Sequence, residues 1–148
     1  MSVGKVMAVC ISDRRGVQKR NVVRCRVVKD YGLVGDAHAE AGSDRQVSIL
    51  LKESINRFES EYGINVNYGA FGENLVIDGF RLEDIFVGKK IKIGDKVLLE
   101  ITQIGKKCHV GCVISKKTGK CIMPVEGVFA RVIRGGEIKT GDAVRIIE

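Results

Sequence analysis

The residues with the most chemistry to offer lie close together late in the chain. CHVGCVISKKTGKC, residues 108–121, carries Cys108, His109, Cys112 and Cys121, and Lys106, Lys107, Lys116, Lys117 and Lys120 surround the thiols. No Asp or Glu falls between Gln103 and Val125. Three chemistries use such a set. Three thiolates and an imidazole make a legitimate structural zinc site, although three residues separate Cys108 from Cys112 where two are usual. A redox dithiol of the thioredoxin kind needs two intervening residues at a helix start, and CHVGC has three. The third chemistry is a cysteine whose thiolate is favoured by uncompensated lysines, presented to an anion as nucleophile, sulfur carrier or soft metal ligand.

A second group lies in the first half. GDAH at 35–38 places His38 in a polar connection, Arg45 precedes an apolar run and can fork onto a phosphate or carboxylate, and GEN at 72–74 offers Glu73 and Asn74. Glu73 serves either to orient a donor or as half of an ion pair; Asn74 serves as a turn cap or as an amide toward a ligand. Arg131 and Arg134 add positive charge near the carboxyl end.

These groups need a scaffold, and the punctuation of the chain indicates one. Its 18 glycines and single proline fall mostly between short β-branched runs, which is the pattern of a sheet-rich fold. Strands are expected at 4–11, 22–28, 46–51, 73–77, 89–93, 96–104, 128–133 and 143–148. In VVRCRVV the alternation puts Val23, Cys25 and Val27 on a buried face and Arg24 and Arg26 on the other. Cys10 and Cys25 are therefore expected as core thiols.

KESINRFESEYG, residues 52–63, spaces Ile55, Phe58 and Tyr62 along one helical face and ends on Gly63, so it predicts a helix. RLEDIF, 81–86, reads as one helical turn. The polar stretch 29–45 has no periodicity and reads as a long functional connection. IKIGDKV at 91–97 is echoed by IKTGDAV at 138–144, which predicts two equivalent hairpin corners of one barrel.

Length and composition set the limits. A chain of 148 residues fits one domain, expected over 1–148, with core enough to fold without a staple. The apolar run at the amino terminus is six residues, too short for a signal peptide or anchor, so a cytoplasmic protein with free thiols and no membrane contact is expected. A formal charge of +7 favours anionic partners, but without Trp or a stripe of interleaved aromatics nucleic acid is not the expected one.

Taken in order, GLVGDAHA, SDRQVSIL, YGAFGENLVIDG, IKIGD, KKCHVGC and GVFARVIRGGEIKTGD resemble the MOSC family, named for the carboxyl-terminal domain of molybdenum cofactor sulfurase. The resemblance runs from about residue 4 to the end. It implies a mainly β fold, a closed or partly open barrel of the pyruvate-kinase-barrel type with one or two short helices. It also implies binding of the molybdenum cofactor, molybdopterin type, or transfer of its sulfur. The family's characteristic cysteine falls on Cys108, as carrier of persulfide sulfur or as molybdenum ligand. The other site positions fall on His38, Arg45, Glu73, Asn74 and Arg131. Lys107 stands where many members have proline, and His109, Cys112 and Cys121 are additional to the common pattern. The implied partners are the anionic pterin and a sulfur donor or molybdoenzyme; a pyridoxal-phosphate enzyme is not expected on this chain. Whether the protein is a sulfur transferase, a component of a cofactor-dependent enzyme or a non-catalytic delivery module stays open. The loop 29–45, the GEN turn and the 106–121 segment are expected to converge at one end of the barrel.

Overall fold

Seven strands whose apolar residues point to a common interior close into a barrel. A computed structural model describes residues 3–105 and 122–147. In chain order the barrel strands are β1 (Val3–Ile11), β5 (Val47–Leu51), β6 (Leu75–Asp78), β7 (Lys90–Ile93), β8 (Val97–Ile104), β9 (Val128–Arg134) and β11 (Ala143–Ile147). They neighbour one another as β11-β7-β8-β9-β5-β6-β1, and β1 pairs back onto β11 through Val3 with Arg145 and Lys5 with Ala143. The barrel is mixed, because β5 and β6 run parallel while the other pairs are antiparallel. The mainly β barrel expected from the sequence, closed or partly open, is the observed fold, and it is closed.

The parallel pair is joined by the helix α1 (Lys52–Tyr62), which must cross over the outside of the barrel. Gly63 ends it at φ 66, in the left-handed region, with its N–H donating to Glu59 O. The helix explains why β5, VSILL, is buried at every position. Val47, Ile49 and Leu51 fill the barrel, while Leu50 faces outward under Ile55 and Phe58 of α1.

Strand β1 serves both faces by a different device. A bulge between Val6 and Ala8 resets its alternation, so Val6 and Val9 join the barrel core while Ala8 and Cys10 join the layer beneath α1. The barrel interior is filled by aliphatic side chains and retains a cavity of about 10 Å³, room for about one water. A ligand site must therefore lie on the rim or the outer wall.

Outside the barrel, β3 (Arg24–Val28) is the centre of a small sheet with β4 (Gly32–Leu33) and β10 (Gly136–Lys139), and β2 (Arg20–Asn21) extends the barrel sheet beside β1. A one-turn helix, α2 (Met123–Glu126), precedes β9, and Leu82–Asp84 form a 3-10 turn where one helical turn is expected. Among the described residues no helix is long and apolar enough to cross a membrane.

Three local expectations are corrected. The strand 22–28 begins only at Arg24, because Val23 takes φ 71 and is 54% exposed, and Cys25 is half-buried instead of core. The connection 29–45 contains the short strand β4. The two Gly-Asp motifs are not equivalent: β7 and β8 form a true hairpin around Gly94-Asp95, but β10 pairs with β3 while β11 pairs with β7 and β1. At Gly141-Asp142 the chain leaves the small sheet and enters the barrel, anchored by Gly141 N–H to Val6 O and by the Val6 N–H to Asp142 O. Identical turn chemistry thus serves a hairpin once and a change of sheet once.

Candidate functional site

The densest buried polar cluster lies where β1 ends. Past Ile11 the chain turns outward through Ser12, loops through an exposed arginine pair, and returns at Lys19, whose backbone N–H donates to Gly69 O. The Lys19 side chain points inward and is 0% exposed, as is that of Asp36, and its Nζ lies 2.7 Å from Asp36 Oδ1. The same Nζ lies 3.2 Å from Ser12 Oγ and 3.0 Å from His38 Nδ1. Asp36 also accepts the Ser12 N–H on Oδ1 and the His38 N–H on Oδ2, both at 3.1 Å. One aspartate therefore ties β1, the 12–19 loop and the GDAH segment together. Burial drives its carboxyl up, but the hydrogen bond and charge of Lys19 and the Ser12 N–H outweigh burial and hold it below the ordinary carboxylate value. His38 stands at the edge of this cluster with a third of its side chain (33%) exposed.

The GEN element lies directly beneath. Asn74 is fully buried, accepting the Ser48 N–H at 2.9 Å and donating to Cys10 O at 3.0 Å, and it also bonds the Asp36 side chain. Glu73 is fully buried too, accepting N–H groups from Gly69 at 2.8 Å and Phe71 at 3.0 Å. Burial pushes its carboxyl up to about 7 against the pull of those N–H groups and of Lys19. Cys10 lies in the same layer, pushed up to about 12 first by burial and then by Glu73, so it remains a thiol. Glu73 is spent on backbone and Asn74 on backbone, Ser48 and Asp36, and a ligand would feel them through the loops they hold.

Arg45 is exposed, with its own N–H on Ser43 Oγ. Arg131 is already engaged, 2.9 Å from Asp30 and 3.6 Å from Asp44, and so pins both ends of the 29–45 connection against β9. Gln46 first and Arg131 second hold the Asp30 carboxyl below its ordinary value. Cys108 and Lys107, with His109, Cys112 and Cys121, lie outside the described residues. Among the described residues no group of three or more His, Cys, Asp or Glu is placed to hold a metal. Of the expected convergence, the structure brings together His38 of the 29–45 loop and the GEN turn.

Lys19, Ser12 and Asp36 are the site residues that sequence reasoning missed. Asp36 stands inside the GDAH motif, and this was the available signal. Lys19 falls in DRRGVQKR, where one buried lysine among exposed cations looks like any other surface charge.

Beside Lys19 the wall opens into a cleft of about 440 Å³ lined by Gln18, Lys19, Arg20, Asn21, Asn67, Tyr68 and Ala70. Three amides, an aromatic ring and the Arg20 guanidinium line it without a carboxylate, while the Lys19 ammonium is turned inward onto Asp36, and Lys52 Nζ stands 5.1 Å over the Tyr68 ring.

Comparison with known proteins places these features in context. The family model of the MOSC domain matches residues 36–145. The YuaD protein from Bacillus subtilis has a similar crystal structure, with a TM-score of 0.80 at 19% identity over 99% of this chain and 98% of that one. YiiM from Geobacillus stearothermophilus aligns with a TM-score of 0.77 at 20% identity over 98% of this chain and 75% of its own. At such identities the likeness is one of fold. A protein of Gibberella moniliformis (strain M3125 / FGSC 7600) called "Reductase" is 27% identical over 79% of this chain, which spans only 23% of that protein.

Proposed function

The chain belongs to the MOSC domain family, and from that premise we propose that it binds a molybdopterin-type molybdenum cofactor and handles sulfur through Cys108. The observation that carries this reading is the acid-free cleft beside the buried Lys19, together with the partly exposed His38.

The lining suits such a group. Amides of Gln18, Asn21 and Asn67 offer both donors and acceptors to a heterocycle edge, Tyr68 offers a ring, and Arg20 supplies charge for a phosphate. Arg45 adds an exposed guanidinium on the connection that carries His38. When bound, the cofactor supplies a redox-active metal held by dithiolene sulfur. The protein's own residues do the rest. Lys19 and Asp36 hold His38 in place, Glu73 and Asn74 lock the 69–74 turn, and Arg131 anchors the 29–45 loop. Cys108 lies within a lysine-rich and acid-free segment, and such surroundings favour the thiolate form that would carry sulfur or act as a soft ligand.

Purification from a molybdenum-competent host, followed by metal and pterin analysis, checks the cofactor. Near-stoichiometric molybdenum and pterin are expected, and the Cys108→Ala variant is expected to lose transferable sulfur at least tenfold. A variant that keeps all its cofactor and all its transferable sulfur would remove Cys108 from the role.

A second reading is favoured by one observation, that this chain matches a small part of a protein called a reductase. In it the domain is a module that delivers or holds cofactor beside a redox partner, and cofactor would be bound without sulfur turnover.

A further inference from the structure

We propose that Lys19 is a positioning residue that fixes the tautomer of His38, so that the imidazole carries its proton on Nε2 and offers a ligand a hydrogen-bond donor. His38 is then neither a proton acceptor nor a metal ligand. The inference rests on the proposed function only in taking His38 as a ligand-facing residue.

An ammonium has three protons and no lone pair. Around Lys19 Nζ stand three acceptors, Asp36 Oδ1 at 2.7 Å, His38 Nδ1 at 3.0 Å and Ser12 Oγ at 3.2 Å. Asp36 is fully buried, and a buried carboxylate needs a countercharge in contact with it. Lys19 is that countercharge, and so it is the ammonium. A group that only donates requires His38 Nδ1 to accept. With its lone pair on Nδ1, the neutral ring must hold its proton on Nε2.

A competing influence is Asp36 itself, whose Oδ2 lies 3.9 Å from His38 Nδ1 and would favour a proton there. It loses for two reasons. That distance is beyond a hydrogen bond, and the same oxygen already accepts the His38 backbone N–H at 3.1 Å. A proton on Nδ1 would also point at the ammonium 3.0 Å away. Of the other charges, Arg15 and Glu40 face each other at 3.5 Å with 61% of each side chain exposed, so solvent screens them, while Glu73, which interacts with Lys19, favours the ammonium. Arg15 Nε meanwhile donates to Ala37 O and holds the loop next to His38.

The consequence concerns ligand chemistry. An imidazole locked in this form meets atoms that accept hydrogen bonds, such as an oxo group, a sulfido group or a phosphate oxygen. To bind a metal through Nε2 it would have to give up its only proton, and its Nδ1 is turned onto the ammonium.

Long-range ¹H–¹⁵N correlation on the uniformly labelled full chain at pH 7.5 reads the tautomer directly. His38 and His109 are the two histidines, so a His109→Gln variant assigns the signals. The expected pattern is a pyridine-type Nδ1 and a pyrrole-type Nε2 for His38, a single tautomer. A pyrrole-type Nδ1, or two averaged nitrogens, would overturn the proposal. Lys19→Met is expected to convert the pattern to an averaged one, and persistence of the pure Nε2–H form in that variant would remove Lys19 as the cause. Because Lys19→Met alone strands a buried carboxylate, a Lys19→Met, Asp36→Asn double variant is measured alongside it under the same criterion. The spectra are recorded on the ligand-free chain, so the outcome is separate from whether a cofactor co-purifies.

Discussion

Glu73 shows how much one buried carboxyl can control. It is fully buried, and its carboxyl is pushed up to about 7, whereas in the unfolded chain it ionises near 4.5. Between those values the folded chain holds a proton that the unfolded chain has released. Its contribution to stability is therefore complete below about pH 4.5 and drains away as pH rises through 7. The gap corresponds to about 3 kcal/mol. Asp36 has the opposite sign: its carboxyl is lowered, so its stabilisation holds above the ordinary value of 3.8 and is lost as pH falls below it. Stability should thus peak on the acid side of neutrality. Denaturant midpoints between pH 4.5 and 8 should fall with rising pH in the native chain and stay nearly level in Glu73→Gln. An equal slope in both would show that Glu73 does not carry the effect. None of this is written in the GEN tripeptide, because burial depends on segments that fold around it.

At the scale of elements, the 67–72 turn is the piece on which the site depends. Lys19 can point inward because its backbone is held against Gly69, whose φ of 92 belongs to the left-handed region. A Cβ at Gly69 would lie 2.1 Å from Lys19 O, and that atom is backbone and cannot swing aside. Gly63, at the end of α1, has the same kind of backbone, φ 66, but open space where a Cβ would be. Gly63→Ala should therefore cost about 1 kcal/mol, from the left-handed backbone alone, while Gly69→Ala should cost clearly more, about 3 kcal/mol or beyond. Gly69→Ala should also unseat Lys19. Unfolding titrations of the two variants check the ranking, and equal losses would contradict the close approach. The sequence made most elements legible, since α1 and the barrel strands follow from period and punctuation. It did not reveal β2 or β4, which are two residues long and take their strand form from pairing with a neighbour, and it read β10 as one arm of a hairpin when its partner is β3.

Across the whole molecule, closure of the sheet leaves the barrel strands without a free edge, while β2 is a short addition beside β1 and β4 is the short edge of the separate small sheet. β5 and β6 sit between the aliphatic interior and the α1 layer, so their amides should open only with global unfolding. Native-state hydrogen exchange should find β5 and β6 the slowest strands and β2 and β4 the fastest. Comparable rates in β5 and β2 would mean that the two-layer core does not unfold as one unit.

The sequence by itself determined the barrel, the helix that crosses over it, and a shortlist containing His38, Arg45, Glu73, Asn74, Lys107, Cys108 and Arg131, because periodicity and motif order are local properties that survive without coordinates. Only the tertiary structure decided which polar residues are buried and which atoms they face. Lys19 turns inward while its neighbouring arginines stay in water, Arg131 is spent on Asp30 and Asp44, and the two Gly-Asp motifs part company. Burial and pairing are set by chain segments distant in sequence, as with Lys19 and Asp36, and no local pattern encodes where such segments meet.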